Sequence, residues 1–205
     1  MPHPTITLIE SRFSANRFDP SHTLTGGEIA YLIGLATRAP TAYNLQNWRF
    51  IAVRTPEAKA RLRDHAYGQI KVSDAAVTFI VCGQLPDSAV LAERLQPFVE
   101  TGLMAPAIAA EWQEDVRDRY SNDPVSARDE AIRSATLGAA TLIYAAEAMG
   151  LVSGPMAGFD ADAVICDFGI AEDEVPVMLL PVGRPAPGNW PQKPRRPLTE
   201  VLQIS

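Results

Sequence analysis

Three short apolar runs set the strongest limit on how this 205-residue chain can fold. They occupy residues 48–54, 75–83 and 174–183 and are rich in β-branched or aromatic side chains. Runs of this length without polar alternation are typical of strands that are buried on both faces. Since no internal repeat or composition break divides the chain, we predict one domain over residues 1–205, with layers on both sides of a sheet.

The segments around these runs carry helix-start signals. Thr25 and Glu28 have the spacing of a capping box and open the first clear element. Pro40 disfavours helical geometry at the preceding residue, so this helix should end by Ala39. A second helix is predicted from residue 56, with Thr55 as its N-cap.

A long helix is predicted over residues 126–151, where alanine and glycine occur on nearly every side. Small residues permit close helix packing, and the pattern fits either a helix at a subunit interface or a core helix within one subunit.

Residues 105–120 are also helical in pattern. They fall within a possible lid at about 88–124, in which Phe98 and Trp112 are candidates for exposed side chains. Residues 190–205 are predicted to form an arm that packs against a distant part of the structure.

Composition excludes several classes of protein. The net charge of −6 and pI near 5.1 argue against a nucleic-acid partner, because nucleic-acid binders usually present a basic face, although a local basic pocket stays possible. No apolar run approaches the roughly 18 residues of a membrane span. The opening residues have no apolar segment behind a basic one, so we expect a cytoplasmic protein without a secretory signal. Cys82 and Cys166 both stand among apolar residues, and we expect both to be inert, reduced core residues.

Familiar catalytic machinery is missing from the sequence. The three histidines are not spaced with Cys, Asp or Glu as metal ligands would be, so no metal site is predicted. There is no G-x-S-x-G elbow, no P-loop and no glycine-rich dinucleotide motif. The chain therefore shows no side chains of its own for difficult chemistry.

Three polar segments, distant in sequence, suggest instead that the chain binds an anion. Guanidinium and hydroxyl groups that converge on one point are suited to a phosphate, although each segment taken singly also fits a solvated surface. Their side chains are Arg12, Ser14, Asn16 and Arg17; Asn44 and Gln46; and Lys193, Arg195 and Arg196.

Six blocks resemble the FMN-dependent nitroreductase family in both order and spacing. They cover nearly the whole chain except about residues 88–124. The blocks are "RFSANRFDP", "RAPTAYNLQNWRFIAV", "GQIKVSDAAVTFIV", "AEAMGLVSGPMAGFD", "VPVMLLPVGRP" and "KPRRPLTEVL".

The resemblance implies an α+β fold with a central, mostly antiparallel sheet flanked by helices, in an intertwined homodimer with FMN at the subunit interface. NADH or NADPH would supply electrons, and a nitroaromatic or quinone-like acceptor would receive them in a ping-pong cycle. Because the cofactor carries the redox chemistry, no catalytic side chain is expected. An enone or aldehyde acceptor, or a flavin-binding module with little turnover, are the alternatives.

The same resemblance implies the cofactor-binding residues. The N-terminal and C-terminal basic residues would hold the phosphate, Lys71 would lie near flavin N1 and O2 and favour the anionic reduced state, and residues 155–158 would lie against the isoalloxazine. Residues 40–44 would come from the partner subunit. The full set is Arg12, Phe13, Ser14, Asn16, Pro40, Thr41, Ala42, Asn44, Lys71, Pro155, Met156, Ala157, Gly158, Lys193 and Arg195.

Five positions depart from the family pattern. Asn16 and Phe13 replace basic residues that are common in the family, and Gly68 stands where some members have Asn. Asn47 replaces the proline usual before Trp48. Ala157 takes the place of a Glu in some bacterial members, which leaves nicotinamide and acceptor preference open.

Overall fold

The computed structural model describes residues 2–205 and is built on a four-stranded antiparallel sheet of order β1-β2-β4-β3. The predicted α+β class is confirmed. The strands are β1 Trp48–Val53, β2 Val77–Gln84, β3 Val152–Ser153 and β4 Glu174–Gly183. The helices are α1 Pro4–Ser11, α2 Gly26–Ala36, α3 Pro56–His65, α4 Ile70–Asp74, α5 Ser88–Glu100, α6 Pro106–Tyr120, α7 Pro124–Ala148 and α8 Ala161–Phe168. Short 3₁₀ turns cover Ala42–Asn44 and Leu198–Glu200.

The predicted helix starts are formed as expected. Thr25 and Glu28 make a reciprocal capping box on α2, and turns continue from its last residue to Ala39. The Thr55 side chain accepts a hydrogen bond from the Ala58 amide at the start of α3. Helix α1 was not predicted, because its N-cap is His3 rather than one of the usual N-cap residues and it lacks a capping box.

Burial differs among the strands. Strand β2 lies between β1 and β4 and is buried along nearly its whole length, as predicted. For β1 the prediction of burial on both faces is wrong, since Arg49 and Ala52 are exposed. This strand has only one sheet neighbour, and its Arg49 reaches Glu174 at 2.6 Å.

Helices cover both faces of the sheet. On one face α2 and α7 pack Leu32 and Leu142 against Phe79 of β2. On the other, α3 and α8 pack Leu62 and Val164 against the strands. These two apolar clusters form the core that positions the loops at the ends of the strands.

The small residues of α7 serve close packing within the chain. A Cβ added at Gly138 would lie 3.0 Å from Phe50 Cζ and 3.3 Å from Trp48 Cε3. The contact is therefore made by aromatic side chains of β1, and the core-helix interpretation accounts for it. None of the helices in residues 2–205 combines the length and the apolar character that a bilayer crossing requires.

The two cysteines lie in different environments. Cys82 is buried in β2, where burial raises the pKa of its thiol to about 12. The prediction of a core position is wrong for Cys166, which is exposed on α8. Val164 points into the core, and a residue two positions further along a helix points away from that face.

Helices α5 and α6 form a separate layer over a third apolar cluster. Trp112 packs edge-on against Tyr43 with ring centroids 5.8 Å apart, whereas Phe98 is 41% exposed. The C-terminal arm ends in side chains that make little contact with the rest of the chain. Its exposed apolar residues are Leu198, Val201, Leu202 and Ile204.

Candidate functional site

The Arg12–Arg17 segment lies against the β3 edge of the sheet. Arg12 Nη2 donates to Ser14 Oγ at 3.1 Å, and the Ala15 amide donates to the Ser153 carbonyl at 2.9 Å. Phe13 packs beside a small apolar cluster. A Cβ at Gly154 would lie 2.3 Å from the Ala15 carbonyl oxygen, so only glycine permits this approach.

Asn189 joins the Arg12–Arg17 segment to the C-terminal arm. Its Oδ1 accepts from the amides of Asn16 and Arg17 at 2.8 and 3.0 Å. Its Nδ2 donates to the carbonyls of Arg17 and Ala186 at 2.8 and 3.0 Å. This side chain thus binds both ends of the chain together, and we refer to it as the Asn189 clamp.

Residues 155–158 are placed beside α4. Met156 exchanges two backbone hydrogen bonds with Leu179, both of 2.9 Å. Gln69, just before α4, donates from Nε2 to the Gly158 carbonyl at 3.0 Å. The amides of Ala157 and Gly158 have no acceptor within residues 2–205, so both N–H groups are available to a ligand.

Two lysines from distant parts of the chain interact electrostatically. Burial lowers the pKa of Lys71, and the positive charge of Lys193 lowers it further. The Lys193 ammonium lies 5.6 Å from the centroid of the Trp190 ring. Next to it, Arg195 Nη2 donates to Gln192 Oε1 at 2.6 Å.

We call Arg12, Lys71, Lys193 and Arg195 the basic cluster. None of the four forms an ion pair with an acidic side chain of residues 2–205, whereas nearby Arg196 pairs with Glu200 at 3.3 Å. Arg12 Nε is buried and has no acceptor. Because an unpaired buried donor costs free energy, this arrangement fits an anionic ligand such as the phosphate of FMN.

Residues 40–47 form a tightly held loop. Tyr43, Asn44 and Gln46 all have positive φ, a backbone region that costs non-glycine residues about 1–3 kcal/mol each. The Gln46 amide donates to Thr41 Oγ1 at 3.0 Å, and Arg94 donates to the Leu45 carbonyl. Surrounding contacts therefore hold a strained loop in one shape.

Asn47 explains how this loop joins the sheet. It is 1% exposed; its Nδ2 donates to the Gln84 carbonyl at 2.8 Å and its own carbonyl accepts from the Gln84 amide at 2.9 Å. Proline in this place could not make the side-chain bond. Asn47 thus anchors the loop to the end of β2.

The contacts above connect several of the predicted residues in pairs. Arg12 bonds to Ser14, the Gln69 side chain before α4 bonds to Gly158, and the charge of Lys193 acts on Lys71, while the Asn16 amide bonds to the Asn189 clamp. Ala42, in contrast, packs against α5 and α6 and lines a cavity with Tyr120 and Glu130. Residues 40–44 thus lie with a different layer of the same chain.

Sequence reasoning missed Gln69, Asn189 and Trp190. The last two follow Gly188, whose φ of +90° marks a tight turn. The "PGN" triplet is a turn signal that could have drawn attention to Asn189. Nothing local to Gln69 indicates its contact with Gly158.

A second polar cluster lies between α3 and α8, and we call it the acid-paired cluster: Arg61, His65 and Asp167. Arg61 Nε lies 3.1 Å from both carboxylate oxygens of Asp167, and His65 Nε2 lies 3.0 Å from one of them. Burial acts to raise the pKa of Asp167, but the hydrogen bonds from His65 and Arg61 outweigh it, so this pKa is lowered overall. Residues 2–205 contain no group of three or more His, Cys, Asp or Glu arranged for a metal.

Comparison with known proteins identifies the family. The nitroreductase family profile matches residues 9–184. YodC of Bacillus subtilis, provisionally named an NAD(P)H nitroreductase, is 30% identical over 96% of each chain. The oxygen-insensitive NAD(P)H nitroreductase of Salmonella typhimurium is 28% identical over 87% of each chain. A provisionally named Exiguobacterium sibiricum nitroreductase, solved in complex with FMN, has a TM-score of 0.87 and 26% identity over 100% of this chain and 99% of its own. The chain therefore belongs to the nitroreductase family, as its six sequence blocks predicted.

Proposed function

We propose that this protein binds FMN, takes electrons from NADH or NADPH and reduces nitroaromatic or quinone-like acceptors. The observation that carries the proposal is the basic cluster, which forms no ion pair within residues 2–205 and includes Lys71, whose helix α4 lies beside a loop with two free amides. Family membership, the relatives' NAD(P)H nitroreductase names and the FMN complex of a similar fold support it.

The basic cluster would hold the FMN phosphate. Arg12 and Ser14 offer a guanidinium and a hydroxyl that already lie together, and Lys193 and Arg195 add two cations from the C-terminal arm. A phosphate would supply the acceptor that Arg12 Nε lacks. The Asn189 clamp would hold the Arg12–Arg17 segment and the C-terminal arm in fixed relative positions around the phosphate.

Lys71 and residues 155–158 would orient the flavin ring. Burial and Lys193 make the Lys71 ammonium costly, so an electron-rich ring edge beside it would offset that cost. The free amides of Ala157 and Gly158 could donate to ring nitrogens or oxygens. Pro155 and the Met156 backbone would lie against the ring face, while the Met156 side chain is buried in the core with Leu62 and Val164. The bound flavin supplies two-electron transfer, while the side chains of this chain bind and orient it.

The remaining predicted residues lead us to propose a homodimer. Pro40, Thr41, Ala42 and Asn44 lie with α5 and α6 of their own chain, so we propose that they complete the partner subunit's site. Exposed apolar side chains on the C-terminal arm, and an apolar groove between α1 and α7 that includes Leu35 and Tyr144, support a partner subunit. In this arrangement α5 and α6 act as the lid at about 88–124, and residues 190–205 act as the arm.

The visible spectrum of the purified protein tests the proposal most directly. We expect a yellow protein whose flavin absorbance bleaches on anaerobic mixing with NADH or NADPH and returns when a nitroaromatic or quinone is added. A colourless protein that cannot be reconstituted with FMN would contradict the proposal. Flavin that NAD(P)H reduces only slowly would favour a flavin-binding module instead.

The acceptor and the dimer need separate measurements. Steady-state rates with nitroaromatics, quinones, enones and aldehydes would identify the acceptor, and fast turnover with enones alone would replace the proposed one. Sedimentation should give twice the 22.2 kDa chain mass. A monomer that still binds FMN tightly would exclude a site completed by two subunits. The cytoplasmic location stays a prediction.

A further inference from the structure

The last turn of α7 contains a carboxylate that the proposed function does not use. Glu147 is partly buried, and its Oε1 is enclosed without a hydrogen-bond donor among residues 2–205. An enclosed, unpaired carboxylate is costly when it is ionised. Its position next to the last residue of α7 adds to this cost, because the carbonyl end of a helix is negative.

Arg12 is the charged side chain that acts on Glu147. Burial raises the pKa of Glu147, and the positive charge of Arg12 offsets part of that rise. The two do not form an ion pair within 4.0 Å, and Arg12 Nε and Glu147 Oε1 are both enclosed and unpaired. Arg38, at the end of α2, lines the neighbouring groove with Ala148 but is not among the groups that shift Glu147.

We infer that Glu147 is a positioning residue that limits how strongly Arg12 binds the FMN phosphate. Ionised Glu147 and a phosphate dianion both act on the same guanidinium, and they repel each other across it. Neutral Glu147 leaves the whole charge of Arg12 to the phosphate. The inference rests on the proposed function, because it concerns the strength of the proposed phosphate grip.

Two flavins separate this role from a structural one. Riboflavin lacks the phosphate, so the charge of Glu147 should affect the binding of FMN and not that of riboflavin. The comparison of variant with wild type at each pH uses the same ligand, and the titration of the FMN phosphate therefore cancels. The ratio of the two dissociation constants reports Glu147 alone.

The experiment titrates flavin-stripped wild type, Glu147→Gln and the control Glu172→Gln with FMN and with riboflavin, by flavin fluorescence, at about pH 8 and about pH 5.5. We expect Glu147→Gln to bind FMN about fivefold tighter at the higher pH. This gain should shrink as the pH falls, because burial raises the pKa of wild-type Glu147 and its charge is lost at a higher pH than that of an ordinary glutamate. Glu172 is exposed on the loop before β4, and its variant should match wild type.

A double-mutant cycle with Arg12→Gln completes the test. If Glu147 acts through Arg12, adding Glu147→Gln to Arg12→Gln should change FMN affinity by less than about twofold. Unchanged or weaker FMN binding by Glu147→Gln, or an equal change for riboflavin, would overturn the inference while leaving the proposed function intact. Wild-type protein that binds no FMN would defeat the proposed function itself.

Discussion

The basic cluster and the acid-paired cluster use similar side chains in opposite ways. Arg61 and His65 share the carboxylate of Asp167 at 3.0–3.1 Å, so their hydrogen bonds are satisfied within the chain. Arg12, Lys71 and Lys193 form no ion pair with an acidic side chain of the described residues, although burial and like charge lower the pKa of Lys71. Satisfied charges stabilise a fold, whereas converging unpaired charges indicate a ligand of opposite sign.

Residues 40–47 extend this comparison to the backbone. Their strained conformation is held by Thr41, Asn47 and Arg94 without help from any ligand. In the basic cluster, Arg12 and Arg195 donate only to near neighbours in sequence, Ser14 and Gln192, and the Asn189 clamp is the long-range contact that holds its two segments. We therefore expect the loop to keep its shape in flavin-free protein, and the basic cluster to respond to the ligand.

Removing two cations from the basic cluster should have the largest effect. The double variant Arg12→Ala/Lys193→Ala should bind FMN about 100-fold or more weakly, because each charged contact to phosphate contributes about 1.5–3 kcal/mol. Arg61→Ala removes a cation from the acid-paired cluster and should leave FMN affinity unchanged. Flavin titration measures both, and equal losses in the two variants would erase the distinction between the clusters.

The Asn189 clamp should matter next. Asn189→Ala removes three hydrogen bonds to the Arg12–Arg17 segment and one to the nearby Ala186 carbonyl, and it should weaken FMN binding about tenfold. Asn122→Ala, at an exposed position before α7, is the matched control. Riboflavin affinity should change much less, and a loss of the same size for both flavins would show that the clamp does not act through the phosphate grip.

A smaller effect is expected on the redox potential. Lys71→Met removes a positive charge beside the flavin and should lower its two-electron midpoint potential by about 30 mV, because the more negative reduced state loses support. Lys59→Met is the matched control: Lys59 is also partly buried, but its Nζ already donates to the Ala75 carbonyl at 2.8 Å. Spectroelectrochemistry of both variants measures this shift, and an unchanged potential in Lys71→Met would place that charge away from the ring.

The smallest effect concerns the acid-paired cluster. The pKa of Asp167 is lowered in the folded protein, so its contribution to stability is present above the unfolded pKa of about 3.9 and is lost as pH falls through the folded value. The melting temperature of Asp167→Asn should therefore lie below that of wild type near pH 7, with the gap closing in acid. Asp64→Asn, at an exposed position that lines one cavity with Arg61, His65 and Asp167, should show no such gap. A gap that persists in acid would mean that Asp167 acts other than through its charge.

Local signals predicted much of the fold. Thr25 with Glu28, and Thr55 with Pro56, mark helix starts through contacts between near neighbours, and both are present. Burial was harder to predict, because it depends on which face of an element meets the core. For that reason Arg49 and Cys166, which are exposed, were wrongly predicted to be buried.

By itself, the sequence determined the starts of α2 and α3, the central strand and, through six ordered blocks, the family. Only the tertiary structure showed that the charge of Lys193 lowers the pKa of Lys71, that Asn189 clamps Asn16 from 173 residues away, and that the charge of Arg12 acts on the enclosed Glu147. Helix caps and strand patterns depend on residues a few positions apart. Which charges face one another, and which are left unpaired, depends on how the sheet and helices pack distant segments together.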